Sequence, residues 1–282
     1  MEIISLQCVA LRELFGKIHG IMKIELISWK SDGLTIRGEI HLPSGPTGPF
    51  PALTLCHGIP AKVKGPDDRG YPLLAERFCD KGFFVLIFNF RGAGQSEGDF
   101  DILGWARDLE KGLNTLYLRP EVDRKRVFFM GFSGGAAVSI YVAALHKEVA
   151  AVVSCASPAE FRDLSTVKAL EDFLTHARDV GIVKNPDFPP SMEMWKKSFK
   201  RVRPIDWIDR IPPRPLLLVH GTRDDVVPVR QAHRLYEKVK GKAELFIIEG
   251  AGHRLRVEEK AMEKASEWLE NIAFSNQRSA FS

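Results

Sequence analysis

Apolar and polar residues alternate along residues 23–30 and again along 34–42, on either side of Ser31-Asp32-Gly33. A period of two around an Asp-Gly turn predicts an antiparallel β-hairpin with one face toward water. From residue 52 the pattern changes. Residues 52–56, 83–90, 126–130, 150–156 and 215–219 are short, nearly continuous apolar runs, as expected of strands buried on both faces. One more strand is predicted over 244–248. Between these runs, apolar residues recur at helical spacing over 71–81, 101–118, 134–146, 229–240 and 254–272. Strands that alternate with helices predict an α/β fold: a mostly parallel, twisted sheet with helices on both faces. Ligands of such sheets bind beyond the carboxyl ends of the strands.

One stretch breaks the rhythm. About fifty-five residues separate the run ending near Ser157 from the one starting at Pro215, too many for a plain connection. Two helical patterns, near 160–180 and 191–200, flank a Pro-rich turn at 185–190. They predict a small helical cap. The expected organisation is therefore a core domain of residues 22–158 and 214–274, a cap (lid) of 159–213, an N-terminal extension of 1–21 and a C-terminal tail of 275–282. Residues 1–21 fit neither a signal peptide nor a membrane span, because Glu2 stands where a signal wants positive charge and Arg12, Glu13 and Lys17 interrupt the apolar stretch.

The motif Gly-x-Ser-x-Gly occurs twice, at 131–135 around Ser133 and at 94–98 around Ser96. A strand must run directly into such a turn, and a helix directly out of it, for the hydroxyl to be presented as a nucleophile. Ser133 has Val127-Phe128-Phe129-Met130 before it and Ala136-Ala137-Val138 after it, so it is the candidate. Ser96 is followed by Gly98-Asp99-Phe100-Asp101 and reads as a tight loop after a strand. A serine hydroxyl needs a base. His253 lies on a loop after the strand at 244–248. His146, His233 and His41 fall within or at the ends of regular elements and read as structural. The supporting acid is Asp224 or Asp225, with Asp224 preferred because it lies nearer the end of the strand at 215–219. An oxyanion would be held by the backbone N–H groups of Gly134, at a helix start, and of Ile59, in His57-Gly58-Ile59-Pro60. His57 itself reads as a tie between that loop and a neighbour.

These residues resemble the α/β-hydrolase superfamily from Met22 to about Phe274. The resemblance rests on His57-Gly58, on 89–98 (Asn89 to Gly98), on the turn at Ser133, on His220-Gly221-x-x-Asp224 with Val227-Pro228, and on Gly250-x-Gly252-His253. It is nearest to capped esterases grouped with cinnamoyl and feruloyl esterases, serine aminopeptidases and dienelactone hydrolases. It implies the α/β-hydrolase fold and a Ser133–His253–Asp224 triad. Many members carry Asp where this chain has Asn89. The His-Gly-Gly-Gly oxyanion motif of one lipase and esterase group is absent.

Composition narrows the reading. The 282 residues are 45% hydrophobic and 27% charged with a net charge of +4, ordinary for a globular protein, and no zinc-finger spacing or basic-aromatic stripe points to nucleic acid. Cys8, Cys56, Cys79 and Cys155 are scattered, which predicts reduced thiols and a cytoplasmic protein without a metal knuckle. No cofactor or metal is expected, no membrane partner, and homo-oligomerisation is left open. The expected function is a serine hydrolase cleaving carboxylic esters through an acyl-enzyme. The alternatives are a serine peptidase acting on short peptides or aminoacyl amides, and a non-catalytic ligand-binding homologue, against which an intact triad argues. Specificity is expected from the cap. Its Phe161, Phe173, Phe188, Trp195, Phe199 and Trp207 predict mainly a small core of its own. Its basic run at 196–203 predicts a solvated face, and Glu160, Glu171 and Glu193 are candidate partners for a substrate amino group.

Overall fold

The computed structural model describes residues 22–44, 48–60, 70–161, 164 and 166–278, with side chains to 275. The predicted hairpin is β1 (Lys23–Ser31) and β2 (Leu34–Leu42), paired antiparallel through Ser31 and Leu34. The apolar runs become β3 (Phe50–Cys56), β4 (Phe84–Asn89), β5 (Val122–Phe132), β6 (Ala151–Cys155), β7 (Leu216–Gly221) and β8 (Glu244–Ile248). They form one eight-stranded sheet in the order β1-β2-β4-β3-β5-β6-β7-β8. From β4 to β8 the pairing is parallel; β2 meets β4 antiparallel.

Strand alternation divides the interior in two. Phe84, Leu86 and Phe88 face one apolar layer, and Val85 and Ile87 the other. The helices are α1 (Gly70–Cys79), α2 (Ile102–Tyr117), α3 (Gly134–Leu145), α4 (Val167–Asp179), α5 (Met192–Val202), α6 (Arg230–Lys238) and α7 (Glu259–Arg278). Helices α1 and α7 cover one face, and α2 and α3 the other. Helix α3, Gly134-Gly135-Ala-Ala-Val-Ser-Ile-Tyr-Val-Ala-Ala-Leu, is apolar all round and nearly all buried, as a helix enclosed on every side must be.

Several boundaries differ from expectation. Strand β5 starts at Val122, not at 126, because Val122 pairs with Phe50 ahead of a register shift; the polar Asp123-Arg124-Lys125 hid this from the pattern. Helix α4 starts at Val167 rather than near 160, where the Thr166 side chain accepts the Ala169 N–H. Helix α7 starts at Glu259 rather than 254, after a 3-10 turn at Leu255–Val257, and runs on to Arg278, past 272 and into the expected tail.

The segment between β6 and β7 holds α4 and α5 and is docked on the loop before α2. Phe100 lies 5.5 Å from Phe173, 6.4 Å from Trp195 and 6.1 Å from Phe199, ring to ring. Its N–H donates to Ile182 O at 2.8 Å, and its carbonyl accepts the Trp195 Nε1–H at 3.3 Å. Asp99 Oδ1 accepts the N–H groups of Lys184 and Asn185. The aromatic residues of the segment therefore share one continuous apolar layer with Phe90, Trp105 and the sheet rather than forming a core of their own. Each buried aromatic contributes roughly 2–3 kcal/mol by area, so the segment is held by the main layer.

A buried ion pair anchors the same face. The Arg91 guanidinium meets Asp108 on α2 at 2.7 Å, Ser31 Oγ at 3.0 Å and Asp32 at 3.0 Å, tying the hairpin to the loop after β4. Hydrogen bonds and charge from Asp108 and Asp32 hold the Arg91 pKa up against burial. Removing one partner of such a pair costs roughly 3–5 kcal/mol, because the other charge is left buried alone.

Candidate functional site

Strand β5 runs straight into Ser133 and α3 leaves it at once. Ser133 has φ 53°, a left-handed conformation that a side chain adopts at a cost of about 1–3 kcal/mol and that clusters at functional sites. The turn is held by the Ser133 N–H donating to Cys155 O on β6 at 2.9 Å. The glycines permit it by close approach. A Cβ on Gly135 would lie 2.3 Å from His57 O, and one on Gly58 would lie 3.0 Å from Ser133 Cβ. The end of β3 thus crosses the first turn of α3 at backbone contact.

That crossing brings Ile59 beside Gly134: a Cβ built on Gly134 would sit 3.9 Å from Ile59 Cγ1. Neither amide N–H has an acceptor among the described residues. Gly134 opens α3, where N–H groups have no intrahelical partner and the helix dipole favours negative charge. The loop that carries Ile59 is fixed by His57. Its Nε2 accepts the Phe90 N–H at 3.0 Å, so its Nδ1 carries the proton and donates to Gly58 O at 2.7 Å. Burial pulls the His57 pKa down to about 4, against a smaller upward effect of the Gly58 carbonyl. Edge contacts to Phe90 and Trp105 hold the ring. The expected tie to a neighbour is this bond to the chain just past β4.

Asp224 follows β7 and His253 follows β8, so both stand at the carboxyl end of the sheet with Ser133. His253 Nδ1 donates to Asp224 Oδ2 at 2.8 Å. The Asp224 side chain is fully buried, while Asp225, the reserve candidate, is exposed. Asp224 Oδ1 accepts the N–H groups of Val226 at 3.0 Å and Val227 at 2.7 Å. Burial by itself would raise the Asp224 pKa. Hydrogen bonds from His220, His253 and Val227 outweigh it and hold the carboxyl well below the usual range, so it is ionised at neutral pH. Among the described residues the Ser133 hydroxyl has no hydrogen-bond partner, His253 included; such bonds are often long without substrate.

His220 is the residue that sequence reasoning passed over as a candidate. In the sequence it stands only as part of the motif preceding Asp224, and a histidine ending a buried strand has many structural uses. The competing serine is engaged elsewhere. Ser96 Oγ donates to Asn89 O at 2.5 Å and accepts the Arg37 N–H at 3.0 Å. The glutamates of the inserted segment divide. Glu160 is held by Arg234 at 2.5 Å, Glu193 pairs with Lys197 at 2.7 Å, and Glu171 faces solvent. Lys196, Lys197, Lys200 and Arg201 are exposed, as expected of a solvated face. A groove of about 380 Å³ lies between α5 and Glu160, Phe161 and Leu164, and none of the residues around Ser133 lines it. Cys56, Cys79 and Cys155 are buried free thiols; Cys8 lies outside the described residues. Among the described residues no cluster of three or more His, Cys, Asp or Glu side chains is placed to hold a metal ion, and no helix is long and apolar enough to cross a membrane.

An eight-stranded, mostly parallel sheet with helices on both faces, and polar side chains gathered at the strand ends, defines the α/β-hydrolase class. The Alpha/beta hydrolase family model matches residues 55–265, and the chain belongs to this family. The chain is 29% identical over 212 residues to the uncharacterized protein YqkD of Bacillus subtilis strain 168, covering 72% of this chain and 65% of YqkD. The chain thus spans just under two thirds of that relative. It is 27% identical over 221 residues to the uncharacterized peptidase YtmA of the same organism, covering 78% of this chain and 80% of YtmA. The Pyrococcus furiosus esterase Pf2001 superposes with a TM-score of 0.65 at 22% identity, over 89% of this chain and 93% of that one, and so shares the fold.

Proposed function

We propose that this protein is a serine hydrolase that cleaves carboxylic esters, with Ser133 as nucleophile, His253 as base, Asp224 as its support, and the N–H groups of Ile59 and Gly134 as oxyanion donors. The observation that carries the reading is the conjunction at the strand ends. A hydroxyl on a strained strand-to-helix turn stands beside two amides without acceptors among the described residues, and a histidine at the same end of the sheet is hydrogen-bonded to a buried carboxylate.

Ser133 Oγ attacks the ester carbonyl and its proton passes to His253 Nε2. Negative charge gathers on the carbonyl oxygen, against the Gly134 and Ile59 N–H groups. Asp224 holds the Nδ1–H tautomer and stabilises the imidazolium. The proton then goes to the departing alcohol oxygen as the C–O bond breaks, leaving an acyl-Ser133. Water attacks that ester with His253 again taking the proton, which it returns to Ser133 Oγ as the acyl C–O bond breaks and the carboxylic acid leaves. The segment of 159–213, as a cap over the core, sets which acyl group is accepted.

The test is a series of p-nitrophenyl esters of rising acyl length beside aminoacyl p-nitroanilides, with Ser133→Ala as control. Ester turnover that disappears in Ser133→Ala, with an acyl adduct on the Ser133 peptide by mass spectrometry, is expected. Equal rates in both proteins would sink the mechanism. The likeness to a relative named a peptidase favours one second reading, cleavage of short peptides or aminoacyl amides; anilides turned over faster than esters would establish it.

A further inference from the structure

His220 lies near the end of β7, and its side chain is 1% exposed. Its Nε2 lies 2.7 Å from Val227 O and 3.2 Å from Asp224 Oδ2. A carbonyl and a carboxylate are both acceptors, so the nitrogen between them carries a proton: the N–H donates to Val227 O, and Asp224 Oδ2 stands within ion-pair distance of the same nitrogen. Asp224 Oδ2 therefore has two imidazole N–H groups against it, that of His253, which donates to it at 2.8 Å, and that of His220, whose nitrogen lies 3.2 Å away. Its other oxygen is already occupied by the Val226 and Val227 amides. Four donors surround one buried carboxylate.

We infer that His220 is a positioning residue for the Asp224–His253 pair: its Nε2–H holds the oxygen that also receives His253, and so sets both the aim of the carboxylate and the basicity of His253. The inference rests on the proposed role of His253 as base. A carboxylate oxygen that shares its negative charge between two donors binds each less strongly than it would bind one. Without His220, Oδ2 would turn its full acceptor strength on His253 Nδ1–H, stabilise the imidazolium and raise the pKa of His253. It would also lose the His220 N–H that stands between it and Val227 O across the 224–227 turn, so the carboxylate would be freer to rotate.

Among the described residues few other charges face this pair. From β7 comes His220, and from the loop after β8 comes His253; Arg223, Asp225 and Arg254 beside them are exposed, and Arg256 lies over the Tyr71 ring at 4.9 Å. A change of protonation at His253 therefore reports on the Asp224 oxygen first.

The experiment compares wild type, His220→Leu and His220→Gln. Leu removes the donor; Gln can bring an N–H to about the same place. The readouts are the acid limb of the kcat/KM pH profile on a p-nitrophenyl ester and the NMR titration of the His253 ring. Expected for His220→Leu are an acid limb and a His253 titration moved up by about half to one pH unit, with kcat down about tenfold, as for loss of one hydrogen bond to a charged group. His220→Gln should restore both. A folded His220→Leu with the wild-type acid limb, or a loss that Gln leaves unrestored, would overturn the inference. If Leu fails to fold, the ring ¹⁵N shifts of wild-type His220 decide, since a bare Nε2 is incompatible with the inference and a protonated one is required by it. The NMR titration needs no turnover. A His253 shift in a protein that hydrolyses no ester would keep the positioning role and reject the hydrolase reading.

Discussion

Two stretches of this chain carry the same five-residue pattern, and the structure treats them oppositely. At Ser133 the backbone is forced to φ 53°, α3 starts at the next residue, and the hydroxyl is left without a partner among the described residues. At Ser96 the hydroxyl is buried and engaged on both sides, donating to Asn89 O and accepting from Arg37 N–H. Gly98, at φ 84°, then leads the chain away, and α2 starts only at Ile102. The pattern by itself specifies a tight turn. Whether the serine is presented or consumed depends on the element into which the turn leads, a helix in one case and a loop in the other. His57 joins the two loops, since it donates to Gly58 on the Ser133 side and accepts from Phe90 at the root of the Ser96 loop.

The contrast breaks most sharply at the serines. Ser133→Ala should lower kcat on a p-nitrophenyl ester by about 10⁶-fold, the scale for losing a serine nucleophile. A loss below about tenfold would move the nucleophile elsewhere. Asp224→Asn comes next, at about 10⁴-fold, because an amide at Oδ2 favours the wrong His253 tautomer; Asp225→Asn, at an exposed position, should stay within about twofold. If the Asp225 variant loses more, the acid has been assigned to the wrong residue.

The link between the loops predicts a pH effect on stability. Burial holds the folded His57 pKa at about 4, below its ordinary 6.5. Between those values the unfolded chain binds a proton that the folded chain does not, so stability is full above about pH 6.5 and falls as the pH drops toward 4. The loss at pH 4 is about 3 kcal/mol from this residue. Between about pH 7.5 and about pH 4.5, the urea midpoint should fall further for wild type than for His57→Gln; equal falls would assign the acid sensitivity to another group. Smallest is Ser96→Ala. It should cost about 1–3 kcal/mol in the same unfolding assay, because the Arg37 N–H loses its acceptor, and leave kcat/KM within about twofold. A large loss of turnover in that folded variant would erase the distinction between the two loops.

Much of this is legible in the sequence. The buried strands announce themselves as apolar runs, because a strand covered on both faces has no polar side to show. The order Ser133, Asp224, His253, each just past a strand, comes from motifs and spacing. Other features have no linear signal. Val122 joins β5 across a polar stretch because Phe50 lies opposite it. Asp108 looks like any polar position on an amphipathic helix until Arg91 folds against it. Phe173, Trp195 and Phe199 are apolar in either account, but only their neighbour Phe100 reveals that they belong to the main layer.

The sequence by itself thus determined the strand and helix rhythm, the order of the candidate residues and the preference for Ser133 over Ser96. These depend on local periodicity and on which residues permit a sharp turn. Only the tertiary structure decided that Asp224 rather than Asp225 meets His253, that Ile59 lies beside Gly134, and that His220 stands against the Asp224 oxygen. Those facts depend on distances between residues far apart in the chain, and packing of the sheet's carboxyl end sets those distances.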